Sequence, residues 1–219
     1  MSGSPPVDVL LVRHGRTTHN AMARLSGRED VALDDTGEQQ ATALGQALAT
    51  ELGAPGEAPT PVIVSSPLRR CVRTAQIIAG ECGLPAEVIV IEDRFVEMDY
   101  GTWDGRPLSE VPANTWAHWR TDPNHAFPGG ESLVEVTERV RAGLIDWVAR
   151  SDGSRLVIAS HVSPIKAAVI CALRVDESVT WRMRLSNASI TRLTCTLTPE
   201  GDLDATLIGF NDVAHLASP

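Results

Sequence analysis

The apolar run VDVLLV (residues 7–12) passes directly into RHGRTTHN (13–20), and the reading of this junction decides the fold. A nearly continuous Val/Leu run of strand length reads as a strand covered on both faces, as strands in parallel sheets are. The octet behind it places two arginines, two histidines and an asparagine just past the strand's carboxyl end. In open α/β sheets that edge is where ligands sit. Yet the whole chain is acidic, with 28 Asp+Glu against 19 Lys+Arg and a formal charge of −9. A cationic knot in such a chain is either a solvated loop or a site built for an anion.

The bulk numbers narrow the classes. At 219 residues, 43% hydrophobic and 21% charged, the chain reads as one domain spanning 1–219 with a buried core. A net charge of −9 argues against nucleic-acid and anionic-membrane surfaces. It does not exclude a small anionic substrate, because surface charge is screened within ~8 Å. MSGSPP (1–6) carries neither a basic nor an apolar signal region, and the longest apolar runs are too short to span a bilayer, so the expected location is cytoplasmic. Cys71, Cys82, Cys171 and Cys195 show no metal-binding spacing and read as buried free thiols.

Working outward from 7–12, β-branched runs recur at 61–66, 86–93, 155–160, 189–198 and 205–210. Helical patterns lie between them. Residues 36–52 align Ala41, Leu44, Ala47, Leu48 and Leu52 on one stripe, and 132–149 open with the capping box Ser132-x-x-Glu135. A helix over 67–81 is predicted with Ser66 as N-cap and Pro67 at its first position, and another over 164–173. Alternation of this kind predicts a three-layer α/β/α fold: a mostly parallel sheet with helices on both faces. The last two runs, joined by PEGD, read as an antiparallel C-terminal addition. Residues 97–131, with three tryptophans and Gly129-Gly130, read as an insertion over the sheet, and 1–6 and 53–60 as loose linkers.

A second strand, RLVIAS, also delivers a histidine, His161, and the helix after Ser65-Ser66-Pro67 presents Arg69, Arg70 and Arg73 in its first turns. Three segments thus aim imidazole or guanidinium at one rim, where a helix N-terminus adds free backbone donors and an arginine fork matches a pair of phosphate oxygens.

Arg13-His14-Gly15-x-Thr17-x-x-Asn20 resembles the phosphate-pocket motif of the histidine phosphatase superfamily, the phosphoglycerate-mutase-like proteins. The resemblance continues in order through 26–41, SSPLRRCVRTA (65–75), FVEMDYGTWDG (95–105), PGGESL (128–133), ASHVSPIKA (159–167) and NASITRL (187–193). It implies a phosphomonoester hydrolase that uses neither metal nor cofactor and acts on small phosphorylated metabolites through a phosphohistidine. Carried over, His14 is the nucleophile, while Arg13, Arg70 and His161 surround the phosphoryl oxygens. Asn20 adds a donor, Glu97 carries the proton, and Ser26 and Gly27 line the pocket near the substrate. Gly15 is expected to admit the phosphoryl group to the backbone. Arg69 and Arg73 read as helix-surface residues, and His19, His118, His125 and His215 as non-catalytic, with His125 placed where it could reach a substrate from the insertion.

Three departures stand out. Arg16 replaces a usual carboxylate or glutamine and is expected to make the pocket more basic, Cys71 replaces alanine, and Val162 replaces the glycine after the second histidine. Two other activities compete. A mutase of this family carries a lysine and paired arginines after its YG element, which GTWDGRPLSEVPANTWAHWR (101–120) lacks. A non-catalytic phospho-ligand- or protein-binding member would not need Arg13, His14, Arg70, Glu97 and His161 together. The partners expected are a small phosphorylated substrate, no nucleic acid and no membrane, with a monomer or a homodimer both compatible. Asp202-x-Asp204-x-Thr206 matches another phosphatase motif but follows a turn rather than a first strand, and reads as coincidence.

Overall fold

The junction at residue 13 is the end of a central strand. The computed structural model describes residues 5–53, 59–151 and 153–216, so most of the expected linker segments, 1–4 and 54–58, lie outside the described residues. Its six strands are β1 (Val7–Arg13), β2 (Val62–Ser65), β3 (Ile89–Ile91), β4 (Leu156–Ser160), β5 (Ile190–Leu197) and β6 (Leu203–Asp212). They form one sheet in the order β3-β2-β4-β1-β5-β6. β3, β2, β4 and β1 are parallel, whereas β5 and β6 add antiparallel strands beside β1. This is the architecture expected from the alternation of runs.

The helices are α1 (Thr18–Ala21), α2 (Asp35–Leu52), α3 (Arg69–Glu81), α4 (Ala113–Thr121), α5 (Leu133–Arg150) and α6 (Val162–Leu173). Strand alternation divides the core between two faces. Leu10, Val12, Ile63, Val157 and Ala159 pack under α2 and α3, against Leu44, Leu48, Ala75 and Ile78. Val9, Leu11, Val64, Leu156 and Ile158 face α5 and α6, against Val140, Leu144, Ile165 and Ala168. The α2 stripe is buried as read, except that Ala47 is only half-buried, and Ser132 and Glu135 close the predicted capping box of α5.

Two expectations change. The helix after β2 starts at Arg69 rather than at Pro67, with Leu68 at its cap and no side-chain cap bond, while the Ser66 hydroxyl meets His161 Nε2 at 2.7 Å and the Leu68 amide at 3.5 Å. β3, whose apolar run 86–93 reads as covered on both faces like 7–12, is an edge of the sheet, and Val90 and Ile91 are 43% and 49% exposed. The 97–131 segment contains α4, whose Trp119 lies 5.2 Å from Trp116, 4.7 Å from Trp181 and 5.6 Å from Tyr100 between ring centroids. Those rings join the α5/α6 core, so the segment is anchored rather than draped.

Gly15 and Gly37 fix the turn after β1. A Cβ on Gly15 would strike the Gly37 carbonyl, and one on Gly37 would strike the Arg16 carbonyl. Close approach to the Gly37 backbone is a requirement the structure places on Gly15. Replacing Gly37 with alanine is expected to destabilise the protein by about 3 kcal/mol, the scale of an overpacked interior. Urea unfolding measures it, and a loss below about 1 kcal/mol would show that the two turns separate freely.

Candidate active site

The parallel register pairs Arg13 of β1 with Ser160 of β4, so the next residues, His14 and His161, leave neighbouring strands side by side. Their ring centroids are 5.1 Å apart and inclined at 63°. Both imidazoles are buried. His14 Nδ1 lies 2.7 Å from the Gly15 carbonyl oxygen. That oxygen can only accept, so Nδ1 carries the proton and Nε2 holds the lone pair. Burial, followed by the charges of Arg70 and Arg13, holds the His14 pKa well below its ordinary 6.5. The result is a neutral imidazole with an unprotonated Nε2, the form a nucleophile needs.

His161 adopts the other tautomer. Arg70 Nε donates to its Nδ1 at 3.2 Å, and a guanidinium has no acceptor, so the His161 proton sits on Nε2. Nε2–H then donates to Ser66 Oγ at 2.7 Å. Burial and the Arg70 charge push this residue well below 6.5 as well. Arg70 is fully buried and donates from Nη1 to the Glu29 carbonyl (2.8 Å) and from Nη2 to those of Ser26 (3.3 Å) and Gly27 (2.7 Å).

A cavity of about 370 Å³ opens in front of the histidines, and its polar wall includes Arg13, His14, Asn20, Ser26, Glu97 and Asn187. Leu25, Leu108, Tyr100 and Val162 supply apolar wall, and Arg24 adds a cation. Of the residues predicted for the site, Arg70, His161 and Gly27 stand behind this wall rather than on it. Arg13 donates to the Leu185 carbonyl at 2.7 Å, and burial pushes its pKa down to about 10, which leaves it cationic at neutral pH. Asn20 Oδ1 accepts from the Thr17 amide (3.2 Å) and Asn187 Nδ2 (3.0 Å), which leaves its own Nδ2 as the donor available to a ligand. The Ser26 hydroxyl is buried without a partner.

Glu97 is 3% exposed, and its carboxylate sits at the N-terminus of α6. Oε1 accepts from the amides of Met98 (2.8 Å) and Ser163 (3.1 Å), and Oε2 accepts from that of Val162 (3.1 Å). A carboxylate offers about four lone-pair positions, so the one left for a travelling proton is on Oε2.

Of the three departures, Arg16 differs from its expectation. Arg16 does not enter the pocket. Its Nε pairs with Asp34 Oδ2 (2.9 Å) and Nη2 with Thr36 (2.8 Å) at the start of α2. The Val162 amide donates to Glu97 Oε2 at 3.1 Å, and the residue lines the cavity, which its side chain narrows relative to a glycine. Cys71 Sγ lies 3.3 Å from both His161 Nε2 and the Ser160 carbonyl, with burial raising its pKa, so it is an inert filler beside the imidazole. Arg69 and Arg73 pair with Asp30 and Glu38 on the surface, as read.

Residue-type reasoning missed several members. Asn187 bridges Asn20 and the His14 carbonyl, and Arg139 donates to the Glu97 carbonyl (3.3 Å) and to Glu131 Oε1 (2.9 Å). Asn187 and Glu131 stand inside the motif-bearing segments NASITRL and PGGESL, which was the signal available.

Burial of the histidines makes stability pH-dependent. Folding lowers the pKa of His14 and His161, so the unfolded chain binds more protons below 6.5 and stability falls as pH drops through that value. With two protons at stake the slope approaches about 2.7 kcal/mol per pH unit. Half-buried His215, shifted the same way, adds to it. Denaturant midpoints at pH 7.5, 6.5 and 5.5 measure this. Carboxylates such as Glu92, held at about 2, act in a lower window, so a flat profile from 6.5 to 5.5 would contradict the neutral-histidine assignment.

The site sits at the carboxyl ends of parallel strands, with two histidines, two arginines and a glutamate from four segments. Residues 9–200 match the histidine phosphatase superfamily (branch 1), and the chain belongs to that family. Among its relatives, a probable phosphoglycerate mutase of Erwinia tasmaniensis is 35% identical over 191 residues, covering 85% of this chain and 84% of the other. Phosphoserine phosphatase 1 of Hydrogenobacter thermophilus is 35% identical over 187 residues, covering 84% of each. The solved structure of a mycobacterial glucosyl-3-phosphoglycerate phosphatase in complex with VO3 superposes with a TM-score of 0.80 at 26% identity, covering 94% of this chain and 99% of that one. The chain spans 49% of the length of mycobacterial relatives that it matches at 34% identity.

Proposed function

We propose that this chain is a metal-independent phosphomonoester hydrolase that works through a phosphohistidine on small phosphorylated metabolites. One observation carries the reading: a buried, neutral His14 whose Nδ1 proton is fixed on Gly15, leaving Nε2 as lone pair beside a cavity that also holds Glu97. Nε2 attacks phosphorus while the ester oxygen takes a proton from Glu97. A water then gives its proton back to Glu97 and displaces phosphate from His14. Arg13 and the Asn20 amide stabilise the phosphoryl oxygens, and Ser26 borders the leaving group with Gly27 behind it. His161 joins by exchanging its Ser66 contact for a phosphoryl oxygen, and Arg70 adds its remaining Nη1–H while the 26–29 carbonyls keep their hold on it.

The cavity volume suits a small phosphoester. Residues 1–219 are read as one such domain, with 97–131 as its insertion, working in the cytoplasm as a monomer or homodimer. No helix among the described residues is long and apolar enough to cross a membrane.

A mutase is the second reading, favoured by the 35% identity to the probable phosphoglycerate mutase. Its opponent is residues 101–120, which hold no lysine and no adjacent arginines. The protein is assayed with p-nitrophenyl phosphate and with 3-phosphoglycerate in the presence of chelator. Phosphate release supports the hydrolase, and isomerisation of 3-phosphoglycerate without release makes it a mutase. No turnover of either, or of a broader phosphoester panel, would leave a binding protein.

A further inference from the structure

We infer that Asp104 is a positioning residue for phosphoryl capture, acting through the loop 26–29 on Arg70, an inference that rests on the phosphatase reading above. The loop is gripped from both sides. Asp104 accepts three consecutive amides: Gly27 at 2.7 Å on Oδ1, and Arg28 at 2.6 Å and Glu29 at 2.9 Å on Oδ2. The carbonyls of the same loop, those of Ser26, Gly27 and Glu29, are the acceptors that hold the Arg70 guanidinium. One anion therefore orders the amides and one cation the carbonyls of a segment with no regular secondary structure.

The loop has no slack. Gly27 is buried, and a Cβ there would stand 2.7 Å from the Met98 carbonyl and 2.9 Å from the Tyr100 ring. Polarising the amides strengthens the carbonyls of the same peptide units as acceptors, so the two grips reinforce each other. Beyond the loop, Arg70 Nε fixes the His161 tautomer. Asp104 thereby reaches Arg70 and, through it, His161, without touching the reacting atoms. Without Asp104, three amides lose their acceptor and Arg70 loses the geometry of its anchors. A displacement of about 1 Å at such a site costs on the order of 100-fold.

Asp104→Asn tests this with little change of shape. Both carboxylate oxygens accept amides, so the asparagine must turn an NH2 group towards N–H donors and does not rescue. The expected result is a fall of about 100-fold in kcat/KM for p-nitrophenyl phosphate and a similar weakening of orthovanadate binding. Asp104→Ala behaves alike. In the Arg70→Ala background the Asp104 substitution costs less than about 3-fold further, because the route runs through Arg70. Losses that multiply in the double variant, or vanadate affinity within about 3-fold of the parent in Asp104→Asn, would overturn the inference. Vanadate binding needs no turnover, so the outcome stands apart from that of the phosphatase reading, whose own failure would be an unaltered protein that hydrolyses no phosphoester.

Discussion

His14→Ala is expected to lower phosphoester hydrolysis by about 1,000-fold or more, the scale on which removing a nucleophile acts when the pocket remains. The alanine leaves Arg13, Asn20 and Glu97 in place, so binding survives and the loss falls on kcat rather than KM. The covalent step is checked separately. Quenching the parent enzyme with phosphorus-labelled substrate is expected to trap an acid-labile, alkali-stable label on the chain, and the variant none. A variant keeping more than about a tenth of the parent rate would remove His14 from the reaction. The buried neighbours of His14 make this test clean, since Gly15 is held by its own amide on Thr74 Oγ1 at 3.3 Å and does not depend on the imidazole.

Glu97→Gln is expected to reduce kcat/KM by about 100- to 10,000-fold for alkyl phosphates, the range of general acid–base contributions, and by much less for p-nitrophenyl phosphate. The ratio kcat/KM is the quantity to compare, because it reports transfer to His14, the step in which the leaving oxygen needs a proton. Hydrolysis of the phosphohistidine uses Glu97 as a base and is the same for every substrate, so kcat alone can hide the contrast. The substitution also has a structural side. Glutamine keeps one acceptor where Met98, Val162 and Ser163 amides meet two, so its NH2 group opposes an N–H at the start of α6. A loss of about 1–3 kcal/mol in stability accompanies it, the cost of a buried donor left unpaired. Equal slowing of good and poor leaving groups in kcat/KM would reject the acid role.

Much of the molecule is legible along the chain because the informative signals are local. The apolar periods of 7–12, 155–160 and 36–52 report on which residues must leave water, and Ser132-x-x-Glu135 closes its box within four residues. The register of Arg13 against Ser160 then follows from burying β1 and β4 in one parallel sheet, which puts the two histidines together. Edges are different. β3 reads like β1 in composition, yet only the order of strands tells that one is central and the other half-exposed.

Side-chain partners are the other thing a one-dimensional reading cannot assign. Ser66 looks like a helix cap because Pro67 follows it, but its hydroxyl meets His161, 95 residues away. Arg16 looks like a pocket residue by its place in the motif, but Asp34 and Thr36 lie nearer than the cavity. The local partner of Asp104, the Gly105 amide at 3.1 Å, does not reveal its role, since the other three amides it accepts belong to residues 27–29.

By itself the sequence determined the class of fold, the family and the residue types brought to one sheet edge: Arg13, His14, Arg70, Glu97 and His161. Only the tertiary structure decided which tautomer each histidine holds, that Arg70 and His161 stand behind the cavity wall, and that Asp104 and Asn187 belong with them. The physical reason is one of range. Burial of apolar faces follows patterns repeated every two to four residues, whereas a buried polar atom must find its partner wherever packing has placed one.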